Sequence, residues 1–168
     1  MLDNLRIRSL ISAVLAAAHV FVLASGQVVP GVYLVRNVAF PERVLDEKRE
    51  THTADGWVSN GGANQLWNFA ASQYSKSLMT IQNCETQRYL RSTGSIATTN
   101  TTTEGAPRTW LITDDDEGRI SIDVVQDFTR GIGLTGGNYG DPVNFAVDTG
   151  SLNQKWRLEY KGATCAAA

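Results

Sequence analysis

The chain has 168 residues, 19% of them charged, and a formal net charge of −2. A mildly acidic chain without basic clusters is a poor partner for phosphate backbones or anionic lipid, so binding to nucleic acid and insertion into membranes are set aside. Two histidines and two cysteines are also too few to suggest a metal cluster, and neither an enzyme nor a cofactor is expected.

The first 26 residues read as a secretory signal peptide. Arg6 and Arg8 precede an apolar run from Leu10 to Ala24 broken only by Ser12 and His19, and small residues follow. Cleavage is expected after Ala24 or Gly26. The alternative is a membrane anchor, which needs roughly 20 apolar residues, more than this run supplies. Removing residues 1–26 takes away Arg6, Arg8 and Asp3, moves the net charge from −2 to −3, and leaves His52 as the remaining histidine. What is left has the length of one domain with one core. A secreted, extracellular location would put Cys84 and Cys165 in an oxidising compartment, where they either bridge or stay free; spacing alone does not decide it.

From residue 31 onward, three phrases recur in order. Strand-like "GVYLVRN", "SLMTIQN" and "GRISIDV" carry apolar residues two apart: Tyr33, Met79 and Ile120 align, with Val35, Ile81 and Ile122 two positions later. Next come "RVLD", "RYLR" and "GIGLT", whose Leu45, Leu90 and Leu134 align. Last come "NQLWNF", "PRTWLI" and "NQKWRL", which place Trp67, Trp110 and Trp156 43 and then 46 residues apart. Glycine- and threonine-rich turns such as "NGGAN" and "GLTGGNYGDP" separate these phrases, and no segment has the pattern of a long helix. The expected fold is all-β: three pseudo-repeats of about 40–46 residues closing round one core. Three modules are too few for an ordinary propeller, and a solenoid would leave uncapped apolar ends.

Three tryptophan phrases at this spacing, two of them Q-x-W, together with the "LD" of the first module, resemble the ricin B-chain type β-trefoil. The phrase "GWVSNGGANQLW" is most similar to the secreted fungal lectins of that family. The resemblance implies a six-stranded barrel capped by three hairpins over residues 27–162, followed by a short tail, 163–168. It also implies a lectin that binds galactose or N-acetylgalactosamine type sugars on glycans or glycoproteins.

A sugar site needs a carboxylate to accept from hydroxyls, an amide that both donates and accepts, and an aromatic face. The first module has all three: Asp46 after Leu45, Asn64 and Gln65 further on, and Trp57 before the turn. By the resemblance, Asp46 and Asn64 take sugar hydroxyls, Gln65 braces the site, and Trp57 or Asn60 lines its wall. The second module has Arg91, Pro107 and Arg108 at the matching positions, so no such site is expected there. The third keeps Asn153 and Gln154 but aligns Thr135 with the aspartate, giving a weaker second site that Phe145 or Asp148 would have to supplement. The bland reading of each amide pair is a turn brace, and that of Trp67, Trp110 and Trp156 is core.

The remaining signals are weaker. Asn100-Thr101-Thr102 is an N-glycosylation sequon. "TDDDEG" lacks the alternating spacing of a calcium loop and reads as a solvated turn. A rival function is a β-trefoil protease inhibitor that presents Arg43 or Arg130 on an exposed loop; another is a degenerate trefoil that binds proteins. Self-association into a homo-oligomer stays open, and would multiply a single weak site.

Overall fold

The structure is a computed structural model that describes residues 27–100 and 107–165, the side chain of Asn100 excepted. The expected leader, Thr101 and Thr102 of the sequon, and the last three residues of the tail lie outside the described residues.

Twelve strands follow one another: β1 (Gly31–Asn37), β2 (Arg43–Lys48), β3 (Thr53–Val58), β4 (Leu66–Ala71), β5 (Leu78–Asn83), β6 (Tyr89–Thr93), β7 (Ile96–Asn100), β8 (Trp110–Asp114), β9 (Ile120–Val124), β10 (Asp127–Leu134), β11 (Asp141–Val147) and β12 (Trp156–Gly162). Each module therefore has four strands. The sequence reading assigned strands to the first phrase, the leucine phrase and the tryptophan phrase. β3, β7 and β11 carry no clean strand signal in sequence, because "TADGWV" alternates poorly and each of these strands exposes an apolar residue, Trp57, Ile96 or Val147.

Antiparallel pairing closes β1, β4, β5, β8, β9 and β12 into a ring in which each strand has two neighbours. The other six strands form the hairpins β2–β3, β6–β7 and β10–β11. The second strands of these hairpins also pair with one another, β3 with β11, β3 with β7, and β11 with β7, so a triangular cap closes one end of the barrel. This is a β-trefoil. A closed ring also removes the exposed edges that an open sheet of this size would present.

The repeated residues form the shared core. Trp67, Trp110 and Trp156 are fully buried, as are Leu45, Leu90 and Leu134 beside Met79, Ile81 and Ile122. Burying an indole strands its N–H, and each finds a main-chain carbonyl: Trp67 donates to Leu45 at 2.9 Å, Trp110 to Leu90 at 3.1 Å and Trp156 to Ile132 at 3.2 Å. The third bond departs from the sequence alignment, which would have predicted Leu134. Hairpin β10–β11 is longer than β2–β3: Asp46 pairs with Asp55, whereas the structural counterpart Gly133 pairs with Asn144. Counting from the leucine therefore slipped by two positions in the third module.

Cys84 and Cys165 are joined in a disulfide, which settles the alternative left open above and ties the tail to the start of the β5–β6 connection.

Candidate functional site

The first module's hairpin and the 3-10 turn Ala63–Gln65 enclose an open cleft of about 500 Å³, lined by Asp46, Asp55, Trp57, Asn60, Asn64 and Tyr139 among others. The turn that carries the amides is shaped by its glycines. Gly61 has a φ of 79°, in the left-handed region that glycine adopts without strain. A Cβ on Gly62 would come within 2.5 Å of the Asn64 Oδ1 and 2.9 Å of the Asn60 Oδ1, so only glycine lets the two amides converge.

Asp46 lies in the buried run of β2, which ends at Glu47, and is held from the turn. Asn64 Nδ2 donates to both of its carboxylate oxygens at 2.9 Å, and Gln65 Nε2 donates to Oδ2 at 2.8 Å. Oδ1 receives one protein bond in this set and retains acceptor capacity, as a carboxylate oxygen can take two. Burial pushes the Asp46 carboxyl above its ordinary range, against the lowering effect of the hydrogen bonds from Gln65 and Asn64. Asn64 is fixed in turn by its own main chain, because Asn83 Nδ2 donates to its carbonyl at 2.8 Å.

Gln65 is fully buried and its amide is spent inside the protein: Nε2 also donates to the Val58 carbonyl, and Oε1 accepts from the Asn60 N–H. Gln154 repeats this arrangement with the Val147 carbonyl and the Thr149 N–H. The recurrence in a module that has Gly133 at the position of Asp46 makes the glutamine a brace for the turn. Asn60 Oδ1 accepts from the Gly62 N–H while its side chain lines the cleft. Trp57 is 38% exposed on β3, unlike the three core tryptophans.

Two residues that sequence reasoning missed complete the cleft. Asp55 sits directly across the β2–β3 ladder from Asp46. It is buried, its Oδ1 has no hydrogen-bond partner, and burial together with the nearby Asp46 charge raises its pKa to about 6. Tyr139 comes from the third module, on the long β10–β11 connection, and is 63% exposed. Its ring centroid lies 5.6 Å from that of Trp57, and the Arg43 guanidinium packs over the Tyr139 ring at 4.2 Å from its centroid. The alternation of β2 against β3 would have flagged Asp55 had β3 been read as a strand. Nothing in the first module's own sequence points to Tyr139.

The third module is built differently from its expected site. Gly133, and not Thr135, occupies the aspartate position, and a Cβ there would strike the Gln154 side chain at 2.7 Å. Thr135 donates instead to the Pro142 carbonyl within the hairpin. Asn153 Nδ2 donates to the Leu134 carbonyl. Phe145 is buried, and Asp148 accepts from the Gly150 N–H and pairs with Lys155, so neither supplies the missing carboxylate. In the second module, Arg91 and Arg108 line a separate cleft. Neither arginine suggested for a protease cleft is presented on a free loop: Arg43 is 7% exposed on β2, and Arg130 donates to the Phe145 carbonyl with its guanidinium over that ring.

Solved structures with this architecture include an agglutinin and several lectins. The Rhizoctonia solani agglutinin superposes with a TM-score of 0.70 at 22% identity, over 82% of this chain and 100% of that one. The Macrolepiota procera ricin B-like lectin, solved in complex with lactose, gives 0.69 at 23% over 81% and 100%. The chain shares the β-trefoil fold of these structures. ThreeFoil, a designed 3-fold symmetric protein, matches with a TM-score of 0.66 at 17% identity over 76% and 97%, in keeping with the three modules. No protein-family model matches the chain, and no curated protein sequence matches it. Among the described residues no helix is long and apolar enough to cross a membrane, and no three potential ligand residues cluster to hold a metal ion.

Proposed function

We propose that this protein is a secreted lectin that binds galactose or N-acetylgalactosamine type glycans, without turnover, through the cleft of its first module. The observation that carries the reading is the convergence of Asp46, Asn64 and Trp57 on one open cleft, with Asp46 oriented by two amides. The acceptor capacity left on Asp46 Oδ1 takes a sugar hydroxyl, the Asn64 Oδ1 adds a second acceptor because its Nδ2 is held by Asp46, and the indole covers the C–H face of the ring. The lactose complex of the Macrolepiota lectin supports the choice of sugar class. The cleft is open, as suits a terminal residue of a glycan chain.

Glycan-array binding of the purified protein, with Asp46→Ala alongside, tests this. Galactose-terminated glycans should be retained, and Asp46→Ala should lose about tenfold or more in affinity, the worth of a charge-assisted hydrogen bond of about 1.5–3 kcal/mol. An empty array, or equal binding by the variant, would rule the site out.

A further inference from the structure

We propose that the second module carries an anion-binding site of its own, which takes the carboxylate or sulfate group of an acidic saccharide. It opens between the β4–β5 connection, the start of β8 and the β9–β10 turn, in a cleft of about 400 Å³ lined by Arg91, Arg108, Tyr74, Ser72, Thr109 and Gln126. Arg91 stands where the first module has Asp46, and Pro107-Arg108 where it has Asn64-Gln65, at the same distance before the core tryptophan. The positions that hold an acceptor in the first module hold donors in the second.

What separates these two arginines from the rest is that their guanidinium groups are unspent. Arg36, Arg43, Arg49, Arg88 and Arg119 each face a carboxylate, and Arg130 and Arg157 donate to main-chain carbonyls. Arg91 and Arg108 have no such partner among the described residues, although both are half-buried and share one cleft. The carboxylate nearest in sequence to the rim, Asp127, is turned onto Thr129, whose N–H and hydroxyl both donate to its Oδ1. Two forked donors set together in an otherwise acidic chain match the planar or tetrahedral oxyanions that arginine binds bidentately. Tyr74, 83% exposed, offers an aromatic face at the rim, and Ser72, Thr109 and Gln126 offer hydroxyl and amide groups. Those groups are redundant for a bare ion and suited to a sugar ring that carries the anion.

The test is calorimetric titration of the purified protein with tetragalacturonate, with a sulfated heparin disaccharide, and with neutral cellotetraose. At least one acidic ligand should bind with an affinity that falls as salt rises, and cellotetraose should not bind; which acidic ligand wins identifies carboxylate or sulfate. Arg91→Gln with Arg108→Gln should weaken binding about tenfold or more at an unchanged melting temperature, whereas Asp46→Ala should leave it intact, which keeps this site separable from the first. Absence of binding to both acidic ligands, binding by the double variant equal to the parent, or equal affinity for inorganic sulfate alone would overturn the assignment.

Discussion

Asp46 and Asp55 face each other across a strand pair, and only one of them is supplied with donors. Keeping Asp55 ionised in that position is unfavourable, which is why its pKa rises from 3.8 to about 6; Asp123, buried and near Asp148, rises to about 6 as well. A carboxyl raised in the folded state destabilises the fold above its folded pKa, and the penalty is relieved as pH falls through about 6 towards 4. The melting temperature should therefore increase from pH 7.5 to pH 4.5, and Asp55→Asn should remove part of that increase by stabilising the protein at the upper end. Affinity at the proposed glycan site should run the other way, falling with pH as the Asp46 carboxyl, which burial holds above its ordinary range, loses its acceptor charge. Parallel melting and binding titrations check both signs, and a pH-independent melting curve would refute the assignment. Sequence alone yielded Asp46, Asn64 and Trp57 because each is named by its chemical type and by its distance from a core tryptophan. Asp55 was hidden, since it acquires meaning only from the residue across the ladder.

The β10–β11 hairpin ties the first and third modules together. Its extra length moves Gly133 into the position that would hold an aspartate, and the same extra length carries Tyr139 out over Trp57. One change in loop length thus accompanies a glycine at the third module's aspartate position and an added aromatic wall for the first module's cleft. Tyr139→Ala should weaken galactoside binding by about fivefold, the worth of an aromatic contact of about 1 kcal/mol, with little change in melting temperature because the ring is exposed. Calorimetry of the variant measures it; unchanged affinity would mean that the ring stands outside the site. The hairpin also explains why the third module was misread. Spacing from Trp156 placed Asn153 and Gln154 correctly, but spacing through a longer hairpin put Thr135 where Gly133 belongs.

Across the molecule, the barrel was readable because three copies of one pattern impose it: a period-two strand, a leucine and a tryptophan at near-constant spacing can all be buried only if the copies close on one another. The closure of the caps was not readable, because β3, β7 and β11 pair through main-chain groups that carry no residue signature. The Cys84–Cys165 bridge, whose ends are 81 positions apart, fastens the chain's tail to the β5–β6 connection of the second module. Reduction should lower unfolding free energy by about 2–4 kcal/mol without abolishing the fold, since the barrel ring closes through its own strand pairings; denaturant titration with and without reductant reads the loss.

The four tryptophans provide the most direct probe of the proposed glycan site. Trp67, Trp110 and Trp156 donate their indole N–H to buried carbonyls, while Trp57 stands in the cleft. In a nitrogen–proton correlation spectrum of the labelled protein, added lactose should shift the Trp57 indole signal, leave the other three in place, and cease to do so in Asp46→Ala. A silent Trp57, or a shift that survives the loss of Asp46, would contradict a galactoside site in the first module.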